Sequence, residues 1–146
     1  MPSLTANIQP NGPIIQVAVL VSNPRRAALQ ASGQPVPQPV FVNGLIDTGA
    51  SCTCVDPTVI TQLRIPATGS VPIITPSTGA VPHACNQYDV SIAVVLGVNH
   101  FKIIDTLPVI ATALAHQGHE VLIGRDVLAD GVLFYNGENN TVTISF

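Results

Sequence analysis

Short runs of β-branched residues, each cut off by Gly, Pro or Asn, leave this chain little choice of architecture. Ile14 to Val21 (IIQVAVLV) and Tyr88 to Leu96 (YDVSIAVVL) set the pattern, and 13 prolines and 11 glycines in 146 residues punctuate it. Val, Ile and Thr fit the pleated surface of a strand, whereas Pro and Gly interrupt long helices, so the pattern predicts a many-stranded, antiparallel, all-β protein. Further strands are expected at Val40 to Ile46, Cys52 to Val55, Phe101 to Ile110 with a break at Pro108, and in VLIG, residues 121 to 124. VLFY and TVTISF, turning at Asn136-Gly137, read as a terminal hairpin.

Helix signals are few. Asp56 followed by Pro57 offers an N-cap and a proline at the first helical position, so DPTVITQL predicts a short helix that Pro66 stops. RDVLAD predicts another, closed by Gly131. Ser22 to Pro39, rich in Pro, Gln and Ala, reads as a long exposed surface insertion. Val71 to Thr75 and the segment from Val81 onward flank PSTG and predict a hairpin with its tip at Ser77 to Ala80, while ATALAHQGHE reads as loop. No repeat at solenoid periods is present.

A chain of 146 residues has the length of one domain and buries enough surface to fold without metal or disulfide, so residues 1 to 146 are read as a single unit. Five Lys and Arg against eight Asp and Glu, scattered apart from Arg25 and Arg26, give no nucleic-acid footprint. With only 9% charged residues against 47% hydrophobic ones, either solubility comes from Ser, Thr, Asn and Gln or some apolar surface is covered by a partner, and self-association is compatible with the second. No apolar stretch reaches bilayer-spanning length, and no basic-then-apolar leader opens the chain. Three cysteines, an odd count, argue for a reducing compartment, and a soluble cytoplasmic protein is the expectation.

In so weakly charged a chain, LIDTGAS (Leu45 to Ser51) places a carboxylic acid directly after an apolar strand and before a glycine turn. Gly49 permits a sharp turn, Thr48 adds a hydroxyl, and Leu45 and Ile46 anchor the strand, so Asp47 is held among backbone N–H donors. Taken alone, the tripeptide also reads as an ordinary Asx-type turn at a strand end.

LIDTGAS, a hairpin, NQYDVSI and then VLIGRDVL, in this order, resemble the retropepsins, the single-domain aspartic proteases of retroviruses and retroelements, and their soluble bacterial relatives. TPSTGAVPH and CNQYDV add to the bacterial likeness. The resemblance runs from about Ile14 to Phe146 and implies a closed, barrel-like β domain with ψ-loops, a flap hairpin and one or two short helices.

The resemblance implies a mechanism as well. Peptide hydrolysis by this route needs two carboxylates that share a proton, one activating water and the other protonating the carbonyl oxygen. The chain has one Asp-Thr-Gly, and a two-lobed enzyme would need about twice its length, so the implied enzyme is a homodimer in which Asp47 of each copy meets across a two-fold axis. Asp47, Thr48 and Gly49 are then the catalytic group, Thr48 bracing the two loops across the axis and Gly49 offering its carbonyl to substrate. Ala50, Ser51 and the flap tip Ser77, Thr78, Gly79 and Ala80 would bind an extended, mostly apolar polypeptide. Gly124 would sit where two backbones nearly touch, supported by Arg125 and Asp126, and TVTISF would join an interchain sheet. No cofactor is implied.

The chain also departs from the family. The acid with which the matching arginine pairs in retroviral enzymes is replaced by Ser51, so Arg125 needs another partner, Asp126 or a carboxylate of the second copy. Ala50 offers no hydroxyl to the catalytic pair, which implies a mildly acidic optimum. Two other readings stay open: a non-catalytic peptide-binding dimer, and a zinc-binding structural domain built from Cys52, Cys54, His83, Cys85, His116 and His119, whose spacings match no recognised site.

Overall fold

The computed structural model describes residues 1–75 and 79–146. Among the described residues ten strands carry the fold: β1 (Ser3–Asn7), β2 (Ile14–Val21), β3 (Val40–Ile46), β4 (Cys54–Val55), β5 (Gly69–Ile73), β6 (His83–Gly97), β7 (His100–Ala111), β8 (Val121–Ile123), β9 (Val132–Asn136) and β10 (Thr141–Ser145). The same residues hold the helices α1 (Asn23–Ala31), α2 (Pro57–Leu63) and α3 (Arg125–Leu128), with a 3-10 turn at Ala115–Gln117.

One sheet runs β2-β3-β8-β4-β7-β6-β5, and β2 also pairs with β6. That extra pairing closes six strands into a barrel and leaves β5 outside it as one arm of a hairpin with β6. Strict alternation fills the barrel: Ile15, Val17, Val19 and Val21 of β2, Val90, Ile92 and Val94 of β6, and Val121 and Ile123 of β8 all point into one core. Val59, Ile60 and Leu63 of α2 add an apolar helix face to it. Both capping signals at α2 operate, for Asp56 accepts the Thr58 N–H at 2.9 Å and Arg64 ends the helix at φ 53°, two residues before Pro66.

Three expectations need correction. The segment from Ser22 to Pro39 holds the ordered helix α1, capped by the Ser22 hydroxyl on Arg25 N, started by Pro24 and anchored by buried Leu29. Helix formers in RRAALQA outweigh the surrounding Pro and Gln. Strand β7 runs through Pro108, opposite Asp89, because among the described residues no strand pairs on the other side of β7 at that point. The irregularity falls at Asp105 and Thr106 instead, where the β6 register shifts.

The third correction concerns the terminal strand. β10 lies between β1 and β9 of its own chain, so both of its edges are already hydrogen-bonded and TVTISF has none to offer a second copy. The open edges of this small sheet belong to β1 and β9, and β9 exposes Val132, Phe134 and Tyr135. The strand β1 had no clear sequence signal. It exists because Ser3 to Asn7 pairs in full register with Ser145 to Thr141.

Candidate active site

Strand β3 ends at Ile46 and delivers Asp47 into a tight turn. The Gly49 N–H donates to Asp47 Oδ1 at 2.8 Å, and the Ala50 N–H to the Asp47 carbonyl at 3.2 Å. From β8, the carbonyl of Ile123 accepts the Asp47 N–H at 3.0 Å, fixing the turn to the barrel. The carboxylate is half-buried, while Thr48 and Gly49 are exposed beside it. One oxygen of Asp47 is thus oriented by the turn that the Asp-Thr-Gly sequence dictates.

Behind the turn, Gly124 meets the demand for a residue without a side chain. A Cβ there would lie 2.5 Å from the Cys52 carbonyl carbon and 2.6 Å from its oxygen, closer than real atoms approach. Thr53, which carried no sequence signal, locks this crossing. Its hydroxyl donates to Asp126 Oδ1 at 2.7 Å and accepts the Gly124 N–H at 3.1 Å, while its own N–H donates to Asp126 Oδ2 at 2.9 Å. Arg125 finds its partner in the turn itself: Nη1 donates to the Thr48 carbonyl at 3.0 Å, and its backbone N–H to the Ala50 carbonyl at 2.9 Å. Asp126 therefore serves Thr53, and Arg125 serves the loop of Asp47.

Register shows which surface Asp47 looks over. Leu45 pairs with Leu122, Leu122 with Cys54, Cys54 with Ile110, and Ile110 with Gln87, and directly paired residues share a face. Their neighbours Ile46, Ile123 and Val55 point the other way into the core. Leu45 and Asp47 are two apart, so the carboxylate stands at the end of a mostly apolar, partly exposed row that crosses four strands to β6.

No family model and no curated protein matches the sequence. Among solved structures, the chain is similar to a retropepsin-like aspartic protease from Rickettsia conorii, at 13% identity and a TM-score of 0.58 over 97% of this chain and 89% of that one. The fold is retropepsin-like. A likeness also exists to a foamy viral protease-reverse transcriptase, at 18% identity and a TM-score of 0.44, over 79% of this chain and 15% of that much longer one.

Strands β5 and β6 form a hairpin in which Val71 pairs with Cys85 and Ile73 with His83, where the sequence led us to expect a flap. Of the four expected tip residues, Ser77 and Thr78 lie outside the described residues; Gly79, at φ +64°, and Ala80 are exposed. Between the hairpin base and the loop after β7 lies a groove of about 460 Å³, bordered by Pro57, His83, Asn86, Tyr88, Thr112 and Ala113.

That loop is tied to α2 by a group whose full role the sequence concealed. Asp56 is buried, and its Oδ2 accepts the N–H groups of Leu114 and Ala115 at 2.8 Å each, while Oδ1 serves Thr58. Burial alone would push its pKa up, but the N–H groups of Leu114, Thr58 and Ala115 and the Thr58 hydroxyl outweigh it and hold the carboxyl well below the usual range.

All three cysteines are free and half-buried. Burial, and after it the neighbouring Cys52, pushes the Cys54 thiol up to about 12. His116 is exposed, whereas His119 is buried with neither ring nitrogen bonded among the described residues. Among the described residues no three His, Cys, Asp or Glu side chains converge as metal ligands.

Proposed function

We propose that this chain is an aspartic endopeptidase whose active unit is a homodimer. The observation that carries the reading is the Asp47 turn: a half-buried carboxylate, fixed by Gly49 and Ile123, braced by the Gly124–Cys52 crossing, and facing an apolar row on a retropepsin-like barrel. A mere strand-end turn has no need of that support.

In the mechanism, Asp47 of one copy takes a proton from water as that water attacks the scissile carbonyl, and Asp47 of the other donates its proton to the developing oxyanion. Breakdown of the tetrahedral intermediate expels the amine, which leaves with the proton that the first Asp47 took from water, while the intermediate's hydroxyl returns its proton to the pair. The substrate is an extended polypeptide, its apolar side chains set against Leu45, Leu122 and Ile110 and its backbone held under the flap hairpin. A second copy would approach along the open edges of β1 or β9, whose exposed Val132 and Phe134 supply apolar area for burial. Cytoplasmic residence and bacterial origin belong to the same reading. Cleavage of a peptide library by the wild type and by Asp47→Asn, with sedimentation to read the oligomer, tests it.

A further inference from the structure

Strand β3 is covered unevenly along its two edges. β2 pairs with it from Val40 to Leu45, whereas β8 reaches only Gly44 to Ile46. Just before β8, the Glu120 N–H donates to the Asn43 carbonyl at 3.0 Å and a Glu120 carboxylate oxygen accepts the Asn43 N–H at 3.1 Å, so Asn43 turns both backbone groups away from β2. Backbone direction repeats every two residues along a strand, and Phe41 therefore presents its N–H and C=O on the same edge. Among the described residues no strand pairs with it there.

Beside that edge lies a groove of about 700 Å³. Pro35, Val36, Pro37 and Phe41 line it from the segment that leads into β3, and Gln62 and Arg64 from the end of α2. Val36 and Val40 pack against the core and fix the segment, while Phe41 is 56% exposed.

Both walls come from the acid-free part of an otherwise acidic chain. Residues 1–46 and 57–88 contain Arg25, Arg26 and Arg64 and not one Asp or Glu. Arg25 Nη2 donates to the Arg64 carbonyl at 3.0 Å, and its Nε is buried with no hydrogen bond among the described residues. The one ion pair among those residues joins Lys102 to Asp130, so Arg25 and Arg64 adjoin with no carboxylate in reach of either.

We propose that the groove beside the free edge of β3 docks an acidic stretch of another polypeptide, which adds as a strand at Phe41 and sets a carboxylate on the guanidinium of Arg64. Its backbone hydrogen-bonds to Phe41, an apolar side chain lies against the Phe41 ring, and charge-assisted bonds form at Arg64. Glu120, at the Asn43 end, repels an acid there and so sets which end of the segment carries it. Pro39 has no N–H to offer and Glu120 already holds Asn43, so the edge admits one short strand. Arg25, Arg26 and Arg64 make too short a basic track for nucleic acid. Phe41 lies six residues before Asp47, roughly 20 Å along the strand, so docking here leaves the Asp47 turn uncovered and does not depend on the protease reading.

The test titrates the isotope-labelled full chain carrying Asp47→Asn, so that no cleavage intervenes, and follows its backbone amide signals. The probes are two octapeptides of alternating Thr and Val, capped at both ends, one with a central Glu and the other with Gln in its place. The Glu peptide is expected to shift the Phe41 and Arg64 signals, to slow hydrogen exchange at the Phe41 N–H, and to bind about tenfold more tightly than the Gln peptide. Arg64→Gln should abolish that preference. Equal affinity for the two peptides, an unchanged preference in Arg64→Gln, or shifts confined to the row beside Asp47 overturns the proposal. So does the lack of any shift at about 1 mM peptide. A dimer that the peptide dissociates would give the edge to a second copy, and a single-stranded oligonucleotide that displaces the peptide would give it to nucleic acid; either overturns the proposal too. The comparison of Glu with Gln peptide needs no change at Arg64, so it decides even if Arg64→Gln fails to fold.

Discussion

Gly124 and Cys52 touch backbone to backbone, leaving no room for even a methyl group between them. Gly124 also follows the residue whose carbonyl accepts the Asp47 N–H, so any displacement at this crossing is passed to the carboxylate. Gly124→Ala is expected to cost about 3 kcal/mol, at the upper end of ordinary overpacking, because the clash is with backbone rather than with a side chain that can swing away. Thermal unfolding reads the loss; a variant as stable as the wild type would mean that the crossing is loose.

Thr53 is buried, and its hydroxyl is both donor to Asp126 and acceptor for Gly124. Thr53→Val keeps the shape but leaves the buried Gly124 N–H without its acceptor and takes one of three hydrogen bonds from Asp126, which should cost about 1–3 kcal/mol, whereas Thr53→Ser should recover most of it. Urea unfolding of the two variants side by side separates the hydroxyl's contribution from that of the methyl group.

Asp56 predicts an acid limb in stability. Its folded pKa lies below the unfolded value near 4, so its contribution is fully present above about pH 4 and is lost as pH falls from there toward the folded value. Asp56→Asn should be less stable at neutral pH by roughly 2–3 kcal/mol and should show a shallower decline below about pH 4. Parallel acid limbs for wild type and variant would contradict the assignment.

The open edge of β9 is where self-association should be most sensitive. Phe134→Glu places a charge on an exposed strand residue outside the barrel core, so the fold should persist while the dimer weakens about tenfold or more. Sedimentation over a concentration series measures this, and an unchanged dimer would place the interface elsewhere.

Much of this site was legible because its demands are local. A turn after an apolar strand needs Gly49, a backbone crossing needs Gly124, and an N-cap followed by proline marks the start of α2. What was hidden depends on partners distant in the chain. Asp56 could be read as a cap for Thr58, but not as the anchor of Leu114 and Ala115, 58 and 59 residues on. Nothing about Thr53 announced Asp126, and Ser3 to Asn7 is a strand only because β10 is there to pair with it. At α1 the cap, the proline and the helix formers were all present, yet the prolines of the following segment masked them. The face shared by Asp47, Leu122 and Cys54 is a matter of register, which periodicity within a single strand does not specify.

The most direct measurement mixes wild type with Asp47→Asn at constant total concentration, lets subunits exchange and records cleavage of one peptide. If each active site takes one Asp47 from each copy, mixed dimers are silent and activity follows the square of the wild-type fraction, so an equal mixture keeps about a quarter of the full rate. A linear dependence, or cleavage by Asp47→Asn alone, would contradict the shared site.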